Sequence, residues 1–159
     1  MFRKPVLIAA SVFATTVLNA QEGARPYRNA LGARYEWAAN YNEDWKGISY
    51  KHFLGRRTAL EGQLLFGGDA IVPDVSVQYH SGFRAVPGLY SYVSAGVSLP
   101  FYDTKPDLLL RPGVGLEYKI PRVPLNFGFE WRPSYRVSGD DSYERFVFGR
   151  FSIPLRYTF

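Results

Sequence analysis

The stretch LEYKIPRVPLNFGFEWR, Leu116 to Arg132, reads as two alternating limbs around a turn. Leu116, Tyr118 and Ile120 alternate with Glu117 and Lys119. After PRVP, Leu125, Phe127, Phe129 and Trp131 alternate with Asn126, Gly128, Glu130 and Arg132. Successive side chains of a strand point to opposite faces, so a period of two marks a strand, and two such runs around a Pro-rich tetrapeptide make a hairpin. One face of this hairpin is built of rings and aliphatic chains, the other of charged and small residues.

The same parity continues through eight segments. They run from Leu31 to Trp37, Ile48 to Leu54 (with Phe53 out of phase), Leu60 to Phe66, Val75 to Arg84, Leu89 to Phe101, Leu108 to Ile120, Leu125 to Arg136 and Val147 to Phe159. In the last, Val147, Phe151, Ile153, Leu155, Tyr157 and Phe159 oppose Phe148, Arg150, Ser152 and Arg156. No segment carries a helical stripe. GRR, AVPG and PRVP are short connections with Gly or Pro where turns need them, while ANYNEDWKG, GGDAIVPD, YDTKPD and SGDDSYE are longer. An even number of strands with short and long connections in alternation predicts an all-β, eight-stranded antiparallel up-and-down transmembrane β-barrel. Both termini then lie on the short-turn side, the periplasm. Closure follows because every backbone N–H and C=O in hydrocarbon must be paired, which leaves no room for a free sheet edge.

Composition agrees. The 159 residues include 12 Tyr, 12 Phe and 3 Trp, yet beyond the N-terminus no apolar run approaches the ~20 residues of a membrane helix. The absence of cysteine excludes disulfides, thiolate metal sites and thiol catalysis. Residues 1–20, MFRKPVLIAASVFATTVLNA, have the plan of a secretory signal: Arg3 and Lys4, an apolar stretch from Val6 to Leu18, and Ala20 before the cut. Its removal leaves 21–159 as the barrel domain and lowers the net charge from +5 to +3.

On the polar parity stand Glu36, Glu61, Glu117 and Glu130 beside Arg34, Lys51, Arg111, Arg132, Arg136, Arg150 and Arg156. An Arg or Lys facing lipid at mid-depth costs roughly 2–4 kcal/mol, so this face is placed inside. An eight-stranded barrel has an interior just wide enough for side chains, which predicts a charged, paired plug with no pore. Four acids against seven bases leaves some bases near the barrel ends. Glu43, Asp44, Asp69, Asp74, Asp103, Asp107, Asp140, Asp141 and Glu144 are assigned to acidic outer loops, and Arg56, Arg57 and Arg122 to the periplasmic turns. With its bases dispersed, the chain shows no nucleic-acid-binding patch. Tyr35, Trp37, Trp45, Tyr102, Tyr118, Trp131 and Tyr157 suit interfacial girdles, with packing inside the barrel as the alternative.

Catalytic signals are thin. His80 and Ser81 are adjacent, hence on opposite faces, and His52 is isolated. Glu117 and Glu130 could meet across neighbouring strands, but nearby bases make ion pairs the simpler account. Gly113-Val114-Gly115 sits within a strand and lacks the following helix that a phosphate loop needs. No catalytic residue, cofactor or metal ligand is assigned.

GISYKHFL, LEYKIPRVPLNFGFEWRPSY and IPLRYTF resemble a family of small outer-membrane β-barrel proteins common in Bacteroidetes, and more broadly the OmpX and OmpA barrel classes. The resemblance implies an outer-membrane location and insertion by the barrel assembly machinery, which reads the last strand; Tyr157 and Phe159 are its insertion signal. It carries no activity. The expected function is that of an integral barrel, a monomer contacting outer-membrane lipid and lipopolysaccharide, with a structural or surface-interaction role. A lipid A-modifying enzyme and a narrow solute channel are the alternatives, and a secreted soluble sandwich is the rival fold. Pro154, without an N–H, predicts a bulge or missing bond at its own position, next to the seam where the last strand meets the first.

Overall fold

The computed structural model describes residues 25–39, 41–102, 106–138 and 144–159, and the expected leader lies outside them. Ten strand segments follow one another: β1 (Asn29–Ala38), β2 (Asp44–Phe53), β3 (Thr58–Gly67), β4 (Ala70–Gly82), β5 (Leu89–Ser98), β6 (Leu108–Lys119), β7 (Leu125–Trp131), β8 (Ser134–Ser138), β9 (Phe146–Val147) and β10 (Arg150–Thr158). β7 with β8, and β9 with β10, each form one broken stave, so the ten segments make eight staves. Every pairing is antiparallel, each stave joins the next, β10 pairs with β1, and the barrel is closed.

Closure rests on a long ladder. β1 and β10 pair without interruption from Ala30 opposite Thr158 to Ala38 opposite Arg150. Pro154 sits within this ladder, opposite Arg34, with no bulge. The interruption lies on its other edge, where the β10–β7 pairs skip from Ser152 to Leu155. The missing bond expected at Pro154 is therefore present beside the closing seam rather than in it: Pro154 turns its N–H-less side toward β7. Gly128 opposes it there, and a Cβ at Gly128 would approach Pro154 Cγ to 3.3 Å.

Two expectations change. GGDAIVPD is no long loop, because Gly67 pairs with Ala70 and only Gly68 and Asp69 form the turn. Gly68 has φ 57°, the left-handed conformation that two-residue hairpins require and glycine adopts without strain. Asp74 therefore belongs to β4. Phe148 leaves the polar parity. Trp131 faces Phe151, so unbroken pairing would set Ser134 against Phe148, yet Ser134 faces Val147. This one-residue slip at Phe148-Gly149 turns Phe148 outward, 59% exposed, and Val147 toward the barrel mouth.

Polarity is inverted relative to a soluble barrel. Leu31, Ile48, Val77, Val93, Leu116, Phe129 and Leu155 cover the outside, while the inward positions of the same strands hold buried charged and polar groups. An apolar cluster lies at each end of that interior. At the short-turn end it comprises Tyr27, Ala30, Phe53 and Ala59; at the other, Trp45, Leu65, Ala70, Val72 and Leu109. Phe53, out of phase in the sequence pattern, is inward because it is part of this floor.

Candidate functional site

The ten residues of the expected network, Arg34, Glu36, Lys51, Glu61, Arg111, Glu117, Glu130, Arg132, Arg150 and Arg156, are all buried inside the barrel. Period two puts them on the inward face of their strands, and the closed sheet brings opposite staves within reach.

The contacts form tiers along the barrel axis. Nearest the short turns, Lys51 Nζ donates to Glu117 Oε2 at 2.9 Å, Tyr27 OH donates to the same carboxylate at 3.2 Å, and His80 Nε2 lies 3.3 Å from Glu117 Oε1. Above them Arg156 pairs with Glu61 and donates to Ser49 Oγ at 3.2 Å and Asn126 Oδ1 at 3.3 Å, while Gln78 Nε2 donates to Glu61 at 2.5 Å. In the next tier Arg34 pairs with Glu130 and donates to Ser152 Oγ at 2.6 Å, and Ser94 Oγ donates to Glu130 at 3.1 Å. Higher still, Arg111 pairs with Glu36, and Arg132 Nη2 donates to Asp74 Oδ1 at 2.9 Å.

These pairs join staves that are not neighbours: β1 to β7, β3 to β10, β2 to β6 and β1 to β6. They are struts across the lumen. Burying an isolated charge costs several kcal/mol, so a filled polar interior needs such one-to-one pairing and hydrogen-bonding hydroxyls around it.

Three acids assigned to the outer loops take part. Asp74 pairs with Arg132, Asp107 Oδ2 lies 3.0 Å from Arg136 Nε, and Glu43 Oε2 accepts from Arg150 Nη2 at 2.6 Å. Each of the seven inward bases therefore has its own acid: Arg34 with Glu130, Lys51 with Glu117, Arg111 with Glu36, Arg132 with Asp74, Arg136 with Asp107, Arg150 with Glu43 and Arg156 with Glu61. The deficit of acids is corrected.

Trp45 also moves. It is 1% exposed, inside the long-loop mouth rather than in a girdle, with the Arg150 guanidinium 3.9 Å from its ring centre and its Nε1 donating to Glu43 at 3.1 Å. Above it lies a cleft of about 320 Å³ whose lining includes Tyr41, Tyr102, Ser134, Arg136, Glu144 and Val147. Tyr102 OH donates to Glu43 at 3.2 Å; burial first, and then the Glu43 charge, push this phenol's pKa above the usual tyrosine value. At Tyr41 the hydrogen bond to Glu144 does so first.

Glu117 and Glu130 do not form a carboxylate pair; each holds its own base. His80 stacks on Tyr92 at 4.9 Å and lies against Phe53 at 4.8 Å. His52 faces outward, its Nδ1 2.7 Å from Asn29 Oδ1. Tyr157 and Phe159 are outward on the closing strand, where Phe159 and Asn29 exchange backbone hydrogen bonds of 2.9 and 2.8 Å.

A closed eight-stranded antiparallel sheet with an apolar exterior and a charged interior is the fold class of transmembrane β-barrels. No family model matches the chain, and no curated protein sequence does. Among solved structures, a designed chain from "De novo design of transmembrane beta-barrels" superimposes with a TM-score of 0.60 over 87% of this chain and 100% of its own, at 13% sequence identity. The likeness is one of fold.

Proposed function

We propose that the chain is an integral outer-membrane β-barrel, monomeric and non-enzymatic, whose interior is closed to solutes and whose role is structural or in surface interaction. The observation that carries this reading is the inverted polarity: outward aliphatic and aromatic side chains around seven matched acid–base pairs. In water that exterior is a contiguous apolar surface far beyond the few hundred Å² a soluble monomer exposes; in hydrocarbon it is solvated. Apolar clusters above and below the struts support a closed lumen. Surface interaction is supported by the cleft at the long-loop end, which sits on a floor of Trp45 and Arg150.

Both termini are assigned to the periplasm because they share the end with the three short turns. Insertion by the assembly machinery through Tyr157 and Phe159 belongs to the same reading. The test is fractionation with heat-modifiable gel mobility, followed by reconstitution in planar bilayers. The protein should require detergent for extraction, migrate faster unheated than boiled, and give no steady conductance. Extraction by salt alone refutes the membrane assignment; stable conductance steps refute the closed lumen. Lipid A mass spectra altered by overexpression would restore the enzyme alternative.

A further inference from the structure

The short-turn end carries a feature that a water-exposed rim does not need. Among the described residues it holds Arg56, Arg57, Arg84 and Arg122 in its turns and Arg25 and Arg28 before β1, with no acidic side chain. Each turn also sets an exposed apolar residue beside its arginine: Leu54, 63% exposed, near Arg56; Val86, 44%, near Arg84; Val123, 40%, next to Arg122. The long-loop end differs, its described connections carrying Asn42, Glu43, Asp69 and Glu144 with Arg145 as the base among them.

Arg122 adds an independent sign. Val123 N donates to Ile120 O at 3.3 Å, which closes a four-residue turn with Pro121 in its second position and Arg122, φ 66°, in its third. A turn with Pro second and positive φ third calls for glycine or asparagine in third place. A long basic side chain there is a strained choice, and strain of this kind persists where function holds it. Arg57 gives the depth: its Nη1 donates to the outward Tyr79 OH at 3.1 Å, so its charge lies against the outer wall, where a tyrosine belt meets headgroups.

We infer that this rim docks on the phosphates of anionic phospholipid headgroups, the apolar tips entering the interfacial layer and the arginines pairing with lipid phosphate. The inference rests on the membrane-barrel reading. Apolar residues interleaved with bases are the composition of interfacial binding elements, and each base near an anionic surface adds attraction that salt screens. An acidic periplasmic protein would pair with the bases, but the three apolar tips and the Arg57–Tyr79 contact on the wall favour lipid.

The test is electron spin resonance of spin-labelled phosphatidylglycerol and phosphatidylcholine around the full-length barrel in phosphatidylcholine vesicles. Wild-type protein should prefer phosphatidylglycerol about 3-fold at about 20 mM NaCl and fall to near parity at about 1 M. Arg56→Gln/Arg57→Gln/Arg84→Gln/Arg122→Gln should lose the preference at low salt while keeping heat-modifiable mobility. Lys46→Gln, at the opposite end, should keep it. Arg122→Gly alone relieves the backbone and should fold at wild-type yield or better, yet with reduced preference. No preference in the wild type, or one that survives in the quadruple variant, overturns the inference and leaves the barrel reading standing. Failure of the wild type to insert overturns both.

Discussion

Glu117→Gln removes one charge from the lowest strut and changes little else. Lys51 and Glu117 are each fully buried, and their link is 2.9 Å. Gln keeps a carbonyl oxygen for the Tyr27 hydroxyl, so the loss isolates the ion pair. Lys51 would keep the Tyr92 ring at 4.9 Å, the more distant Glu61 carboxylate and a neutral amide oxygen in place of its ion pair. A buried charge stripped of its partner costs about 3–5 kcal/mol, and the cation–π contact sets the expectation near the lower bound, about 3 kcal/mol. Lys51→Met leaves Glu117 with Tyr27, His80 and Arg156, the last at 3.9 Å, and should cost about 2–3 kcal/mol. The double variant removes both charges and should cost no more than either single change. Urea unfolding in lipid vesicles, followed by the fluorescence of the 3 Trp residues, measures all four corners. A coupling of about 3 kcal/mol is expected; single losses that add to the double within about 0.5 kcal/mol would show that the strut is not a unit and refute the reasoning.

At the closing seam, Gly32→Ala would place a Cβ 2.0 Å from Leu155 O, and forcing β1 from β10 should lower stability by about 1–3 kcal/mol or prevent closure, read as lost heat-modifiable mobility. Trp45→Ala should cost about 3–5 kcal/mol by emptying the apolar cluster at the long-loop end, without opening conductance, because the struts remain below it. The Tyr102 phenol, raised by burial and Glu43, keeps its proton after an unfolded tyrosine has lost one near pH ~10. Its contribution is therefore constant below that pH and declines above it, and Tyr102→Phe should flatten the alkaline limb of the stability profile. For Arg122→Gly, relief of about 1–2 kcal/mol at a left-handed position is partly offset by about 0.4–1 kcal/mol of added chain entropy, so a net gain of about 0.5 kcal/mol is expected on urea unfolding.

The barrel itself was legible because period two persists through all eight staves and only one closed arrangement satisfies a sheet that is greasy outside. What the sequence hid are places where geometry departs from the count. Phe148 changes face because the ladder slips at Phe148-Gly149, and a bulge has no signature beyond an unremarkable glycine. Trp45 resembles a girdle residue by type, yet the phase of β2, with Lys51 and Ser49 inward, carries it inside. Pro154 announced a missing bond but not which neighbour would lose it; Gly128, across β7, was the available clue.

The candidate site shows how a charge balance can locate strand ends. Inward parity within the expected strand bounds yields seven bases and four acids, an imbalance that buried side chains tolerate poorly. Glycine, proline and aspartate had ended those strands early in the sequence reading. Extending each phase outward supplies the missing acids. From Ser76 the next inward residue is Asp74; from Arg111, through Leu109, it is Asp107; from Ser49, through Gly47 and Trp45, it is Glu43. Pro73 did not stop β4 because its carbonyl still accepts from Leu99 N at 2.9 Å and pairing resumes at Ile71 opposite Phe101, so only the one bond its absent N–H would make is lost. In a closed barrel with a buried lumen, unmatched inward charge is thus evidence that a strand continues past its turn signals, and the acids it recruits sit at the mouth where Arg132, Arg136 and Arg150 await them.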